Sequence, residues 1–107
     1  MSGTFGDMGN LLKQAQQMQR ELDRAREELR TTVVQGTAGG GVVRVEVSGE
    51  GMVQRLSIQP EALEGREVAL IEDLVLAAVR DGISKANALR DERLARVSGG
   101  LNLPGMS

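Results

Sequence analysis

The feature that most constrains the fold is a row of small and apolar side chains that recurs at alternating three- and four-residue steps. Its members are Met8, Leu11, Ala15, Met18, Leu22, Ala25 and Leu29. This a/d heptad spacing predicts a long amphipathic helix whose narrow apolar stripe packs against another helix. A helix from Met8 to about Thr31 would be roughly 36 Å long. Because a chain of 107 residues has little core to cover such a rod, the pattern favours a second copy as part of the cover.

Both ends of this helix carry local signals. Asn10 is predicted to cap a helix that starts at Leu11, which would leave Met8 ahead of the helix as a hydrophobic staple. The glycine-containing residues 1–9 are expected to be flexible. The helix should end near Arg30, where a β-branched run favours a strand instead.

Three strand-like segments follow. They are residues 32–35, 43–48 and 52–59, separated by the glycine-rich stretches 36–41 and 49–51. The stretch 36–41 is interpreted as a turn with no helical alternative. Val43, Val45 and Val47 alternate with polar residues, which is typical of a half-buried strand. An antiparallel meander results, with Arg44 and Arg55 on its solvent-facing side.

A second long helix is predicted from about Arg66 to Arg96, after one helical turn at residues 61–64. Its first half is apolar nearly all round, so we expect it to be buried on several sides. Ala78, Gly82 and Ala86 step by four and would form a groove for close helix approach, unless Gly82 merely weakens the helix. Residues 98–107 are expected to be non-helical and flexible. The whole chain, 1–107, is interpreted as one α+β domain.

Composition excludes several kinds of chemistry. The chain has no cysteine and no histidine, which removes disulfides, thiol nucleophiles, Cys/His metal sites and the usual general base. Ser84 and Lys85 are adjacent on a helix and therefore point apart. No carboxylate lies in a metal- or phosphate-binding motif. We therefore expect no enzymatic activity, catalytic residue, metal, cofactor or small-molecule substrate.

The compartment is expected to be the cytosol. No stretch approaches the roughly 18 apolar residues of a membrane span, and the first residues lack the basic and apolar regions of a signal peptide. The net charge of −2 opposes a generic nucleic-acid binder, which is usually basic. Binding to nucleic acid would therefore require a local basic patch.

Two local patches are candidates. On the first helix, Lys13, Arg20 and Arg24 fall opposite the apolar stripe. On the second helix, the C-terminal half is enriched in Lys and Arg. Spacing alone favours an ordinary solvated face, and cations near a helix C-terminus also favour the helix dipole. The other interpretation is contact with phosphates, which two copies would double.

The succession of short segments along the chain resembles the YbaB/EbfC family of bacterial nucleoid-associated proteins. The segments that carry the resemblance are 9–19 (GNLLKQAQQMQ), 41–45 (GVVRV) with Gly49, 56–60 (LSIQP), 72–75 (EDLV) followed by Ala77 and Ala78, and 99–105 (GGLNLPG). Each segment alone is weak evidence. Their order and spacing over nearly the whole chain are specific.

The resemblance implies a helix, three strands and a helix that dimerise, with the long helices projecting like the arms of tweezers. It also implies binding to double-stranded DNA in the nucleoid, with possible roles in nucleoid organisation and gene regulation. The family attributes its DNA contacts to the first and last helices. Carried over, these contacts fall on Lys13, Arg20, Arg24, Lys85, Arg90, Arg93 and Arg96.

Two functions therefore remain in competition. The first is a homodimer that binds DNA mainly through backbone phosphates, since the chain has a single aromatic residue for stacking and no base-reading motif. The second is a dimeric protein-interaction scaffold whose contact with DNA is incidental. The acidic balance favours the scaffold, and the resemblance favours DNA.

Overall fold

The computed structural model describes the backbone of residues 2–100 and the side chains of residues 7–99. The elements in this part of the chain are α1 (Ser2–Thr31), β1 (Val33–Ala38), β2 (Val43–Ser48), β3 (Val53–Ile58) and α2 (Val68–Gly100). Short 3-10 turns occupy Gly39–Gly41 and Pro60–Ala62. The strands form an antiparallel sheet in the order β1-β2-β3. The predicted α+β fold is thereby confirmed.

The core lies between α2 and the first two strands. Val43, Val45 and Val47 of β2 are fully buried and cluster with Ala78 and Ala86 of α2. Their strict alternation in sequence puts all three on one face of the sheet, as the pleat requires. The half-buried strand predicted from this alternation is therefore present.

A close approach of backbones fixes α2 on the sheet. A Cβ atom added to Gly36 of β1 would lie 2.6 Å from the Cα atom of Gly82, and one added to Gly82 would lie 2.7 Å from a methyl group of Val47. The groove predicted from Ala78, Gly82 and Ala86 therefore exists. Its occupant is a strand, whereas the spacing had suggested a helix.

The two long helices pack against each other over part of their length. Leu29 and Leu94 line one cleft between them, and Ala25 and Val97 line another, so the helices run antiparallel. Ala25 and Leu29 are buried there. The side chains of residues 7–17 are all exposed, so this half of α1 projects away from the rest. The protein measures 79 Å along its longest axis.

The helix ends differ from those predicted. Because α1 already begins at Ser2, Asn10 is not its cap, and Met8 is a helical residue that is 62% exposed. A glycine inside a helix costs only about 1 kcal/mol, which does not stop a helix this long. The backbone of Ser98–Gly100 is helical, contrary to prediction, and residues 101–107 lie outside the described part. The expected flexibility of residues 1–9 stays a prediction.

The glycine-rich stretch 36–41, predicted to be a turn, is a turn only in its second half. Its first half, through Ala38, belongs to β1, because Gly36 supplies the close approach to α2 and does not mark a turn. Its second half, Gly39–Gly41, contains a 3-10 turn in which all three glycines have positive φ. Positive φ lies outside the right-handed helical region, so the turn predicted for this half is present.

Burial of the first half of α2 on several sides is not observed in the protomer. Val68 is 71% exposed, and Leu70 and Leu76 are exposed as well. On the sheet, Leu56 and Ile58 of β3 pair opposite Val45 and Val43, so they point toward the α2 side. They too are exposed, because α2 packs over β1 and β2. An apolar gap therefore remains beside α2, above β3.

Candidate nucleic-acid interface

Three cations form a straight ridge along α1. At 100° per residue, Lys13, Arg20 and Arg24 fall within about 40° of arc, on the side opposite Leu29. Along the helix axis they are spaced by about 10 Å and 6 Å. Within the described part of the chain, no carboxylate lies within salt-bridge distance of any of them. The ridge can therefore meet an external anion without first breaking an internal ion pair.

Two of the acidic residues that flank this ridge, Glu27 and Glu28, are engaged by arginines. Arg30 donates hydrogen bonds to Glu27, and this contact lowers the pKa of the Glu27 carboxyl below its ordinary value. Arg93 of α2 donates to Glu28 over 3.0 Å. Their negative charges are thus partly offset beside the ridge.

The four candidate cations of α2 are all paired. Lys85 lies 3.0 Å from Asp81, Arg90 lies 3.7 Å from Asp91, Arg93 lies 3.0 Å from Glu28, and Arg96 contacts Glu92. All these pairs are at least partly exposed, where an ion pair contributes only about 0–1 kcal/mol. The side chains remain able to exchange partners.

Lys85 also has a structural position. Its Nζ atom donates to the backbone oxygen of Gln35 over 3.2 Å, while Asp81 accepts a hydrogen bond of 3.0 Å from the backbone N–H of Thr37. The Thr37 hydrogen bond, followed by the one from Lys85, lowers the pKa of Asp81. The Asp81–Lys85 pair therefore fastens α2 to the edge strand β1.

Arginines from both long helices line one cleft between α1 and α2. Its volume is about 280 Å³, and its charged lining consists of Glu21, Arg24, Glu28, Arg93 and Arg96. The structure thus brings Arg24 of the ridge together with two of the α2 candidates. Lys13 and Lys85 do not line this cleft.

A second cleft lies on another flank of the helix pair. Arg90 lines it together with Arg26, Glu50, Leu29 and Leu94, and its volume is about 240 Å³. Arg26 was not among the residues predicted from sequence. The signal was its position next to Ala25 of the apolar stripe, which places it at the edge of the α1–α2 contact.

The arginines of the sheet are less available for binding an external anion than the cations of the α1 ridge. Arg44 donates from Nε to the backbone oxygen of Gly41 over 3.0 Å, and Arg55 stands opposite Glu46 in the β2–β3 register. Cross-strand charges of opposite sign attract each other. These two arginines are therefore suitable controls for the helix residues.

In the described residues, no group of three or more Asp and Glu side chains is placed to hold a metal ion. None of the helices in that same part of the chain is long and apolar enough to cross a membrane.

A family profile and individual relatives both match most of this chain. The profile of the YbaB/EbfC DNA-binding family matches residues 5–101. A nucleoid-associated protein of Acetivibrio thermocellus is 38% identical over 105 residues, covering 97% of this chain and 93% of its own. One from Chloroflexus aurantiacus is 43% identical over 91 residues, covering 85% and 91%.

A solved structure supports the fold. The crystal structure of an uncharacterized protein from Helicobacter pylori aligns with a TM-score of 0.60 at 24% identity, covering 73% of this chain and 90% of that one. At this identity the likeness concerns the fold alone. The family profile, by contrast, spans nearly the whole sequence: the chain belongs to the YbaB/EbfC DNA-binding family.

Proposed function

We propose that this protein is a nucleoid-associated protein that binds double-stranded DNA as a homodimer, mainly through backbone phosphates. The observation that carries the proposal is the ridge of Lys13, Arg20 and Arg24, three cations on the exposed side of α1 that have no carboxylate partner among the described residues. Family membership supplies the class of ligand.

Phosphates are the expected contacts because the candidate side chains are cationic and not aromatic. Guanidinium groups match phosphate geometry and can bind it through two hydrogen bonds. Base stacking needs aromatic side chains, and the chain has only Phe5. A straight row of cations on a helix carries little sequence information. Binding should therefore depend strongly on salt and weakly on sequence.

The candidate DNA contacts can be ranked by whether each side chain already forms an ion pair. Lys13, Arg20 and Arg24 come first, since they have no described carboxylate partner. Lys85, Arg90, Arg93 and Arg96 remain candidates, but each would have to leave a carboxylate. Lys85 comes last, because it also fastens α2 to β1.

The homodimer is supported by the apolar gap beside α2. Val53, Leu56 and Ile58 of β3 face the same side as the core valines yet stay exposed, and so do Leu70 and Leu76 of α2. Val53, Leu56 and Ile58 adjoin on one face of β3, and an exposed apolar patch of this kind marks an interaction site. A second copy would cover it with the same surface, since a two-fold interface is self-complementary. The two pairs of long helices would then project as the arms of tweezers.

The nucleoid setting is supported by the relatives, which are named nucleoid-associated proteins. A dimer with two projecting pairs of helices can touch DNA at two places. We therefore expect nucleoid organisation, and with it effects on gene expression, in the cytoplasm of a bacterium.

A titration of fluorescently labelled duplexes at two salt concentrations tests the proposal. Each phosphate contact contributes about −0.9 to the slope of log affinity against log salt. With roughly four to eight contacts per dimer, a rise from 50 to 200 mM salt should weaken binding by about two orders of magnitude or more. Unrelated duplexes should bind alike. Salt-insensitive binding would contradict contact through the basic residues.

A dimeric protein-interaction scaffold is the second candidate. It is favoured by the net charge of −2 and by the exposed apolar residues Met8, Leu11 and Leu12 on the projecting half of α1. The same titration discriminates between the two functions. A scaffold, whose contact with DNA is incidental, would bind duplex DNA weakly or not at all even at 50 mM salt.

A further inference from the structure

We propose that the cleft between α1 and α2 is a phosphate-binding subsite and that the Glu28 carboxylate occupies the place of the phosphate in the free protein. The inference rests on the proposed DNA binding and deepens it, because it assigns one phosphate contact to both arms at once. Glu28 is thereby a residue that limits affinity for DNA.

The cleft offers cations from both helices to one anion. Arg24 enters from α1, and Arg93 and Arg96 enter from α2, around a volume of about 280 Å³. The guanidinium of Arg93 is the least exposed of the three ion-paired cations near this end of α2, with its side chain 32% accessible. Guanidinium groups converging from two helices can hold an anion through several charge-assisted hydrogen bonds.

The charges in the cleft balance without a ligand. The cations Arg24, Arg93 and Arg96 are matched by Glu21 and Glu28 of the lining and by Glu92, which pairs with Arg96. A neutral cleft attracts DNA weakly. Loss of a single carboxylate from it would leave a net positive charge between the arms.

Glu28 differs from Glu92 in that its ion pair joins two helices. Glu92 lies one turn before Arg96 on the same helix, so that pair can separate by side-chain rotation. Glu28 reaches from α1 to Arg93 on α2 over 3.0 Å. A carboxylate at that distance uses the donors that a phosphate would need, so phosphate and Glu28 compete for Arg93.

The exchange of partners is physically inexpensive. Glu28 is about half exposed, and an ion pair in such a position contributes little to stability. A DNA phosphate carries the same single negative charge as the Glu28 carboxylate, and its neutralisation in addition releases condensed counterions. The arms are therefore able to trade an internal contact for an external one.

Glu28→Gln tests the subsite, because it removes the charge and keeps the shape of the side chain. Glu72→Gln is the matched control: it changes the net charge equally, at an exposed position near the start of α2. Affinity for one labelled duplex is measured from 50 to 200 mM salt, with circular dichroism as the check on folding. We expect Glu28→Gln to bind at least about threefold tighter than Glu72→Gln. Its salt slope should be steeper by up to about 1.8, for two subsites in a dimer.

A second variant identifies the cation involved. In Glu28→Gln/Arg93→Gln the gain should disappear, because no guanidinium remains for the phosphate to occupy. A gain that survives the loss of Arg93, or equal affinities for Glu28→Gln and Glu72→Gln, would overturn the subsite while leaving DNA binding intact. Failure of the wild-type protein to bind DNA would overturn both proposals. Unfolding of Glu28→Gln would show that the Glu28 carboxylate is a structural group, which also contradicts the subsite.

Discussion

Gly36 of β1 and Gly82 of α2 lie so close that a Cβ atom on Gly36 would stand 2.6 Å from the Cα atom of Gly82. At this point the strand and the helix meet backbone to backbone. The contact sits beside the buried valines of β2 and sets the distance between α2 and the sheet. It therefore also sets the direction in which α2 carries its arginines.

We predict that Gly36→Ala destabilises the fold severely. The added methyl group would collide with backbone atoms of Ala78 and Gly82, and backbone cannot move aside as a flexible side chain can. Overpacking typically costs about 1–3 kcal/mol, and we expect at least the upper end of that range. Urea unfolding followed by circular dichroism measures the change.

Gly9→Ala is the control for this substitution. Gly9 lies in α1, and an added Cβ would meet no described atom within 4 Å beyond the neighbouring backbone of its own helix. Alanine in an exposed helix is favoured over glycine by up to about 1 kcal/mol, so this variant should be slightly more stable than the wild type. Equal destabilisation by both substitutions would show that Gly36 and α2 are not in close contact.

The same glycine shows where inference from sequence fails. The alternation of Val43, Val45 and Val47 reports a face of the sheet directly, so the meander was predicted correctly. Gly36 carries no such signal, because a glycine that breaks a strand and one that admits a helix look identical. That β1 continues through Gly36 to Ala38 depends on the contact of Gly36 with Gly82, which the sequence does not encode.

The candidate site was partly accessible from sequence. Helical periodicity alone places Lys13, Arg20 and Arg24 on one line opposite the apolar stripe. The pairing of Glu28 with Arg93, 65 residues apart, depends on the antiparallel packing of α1 on α2. No local pattern encodes that contact, and so the cleft could not be predicted.

We predict that Leu56→Glu converts the protein to a monomer that remains folded. Leu56 is 47% exposed in the protomer, so a carboxylate there keeps its hydration. In a dimer that covers β3 the same carboxylate would be buried without a partner, which is strongly unfavourable. Light scattering should then report the 11.4 kDa protomer, whereas the wild type should give twice that mass.

Leu12→Glu provides the comparison for the dimer. Leu12 is 60% exposed and lies on the projecting half of α1, away from β3. This variant should remain dimeric. A wild-type protein that scatters as a protomer at micromolar concentration, or a dimer that tolerates Leu56→Glu, would place the self-contact elsewhere or exclude it.

Stability should fall in acid in a way that depends on Asp81. The pKa of this carboxyl is lowered from its ordinary value of 3.8, first by the hydrogen bond from Thr37 and then by Lys85. A lowered folded-state pKa contributes stability above the unfolded pKa and loses it as the pH falls through the folded value. The contribution of Asp81 should therefore be complete above about pH 5 and decline below about pH 4.

Asp81→Asn checks this assignment. The amide can still accept the Thr37 hydrogen bond but does not titrate in this range. The difference in unfolding free energy between wild type and variant should shrink as the pH is lowered from 6 to 3. A difference that stays constant over this interval would show that the Asp81 charge does not hold α2 on β1.

The central claim is that the arms, and first of all the ridge of α1, hold DNA. Two double variants remove the same charge from different surfaces: Arg20→Ala/Arg24→Ala from the ridge, and Arg44→Ala/Arg55→Ala from the sheet. All four side chains are exposed, so neither variant should lose more than about 0.5 kcal/mol per substitution. Folding and oligomeric state should be unchanged in both.

The decisive measurement is the salt slope of duplex binding for these two variants beside the wild type, by fluorescence anisotropy. Loss of Arg20 and Arg24 removes four contacts per dimer, so the slope should become shallower by up to about 3.6 and the affinity at 50 mM salt should fall at least tenfold. The sheet variant should follow the wild type. If the sheet variant loses binding while the ridge variant keeps it, the DNA surface is the meander and the account given for the arms is wrong.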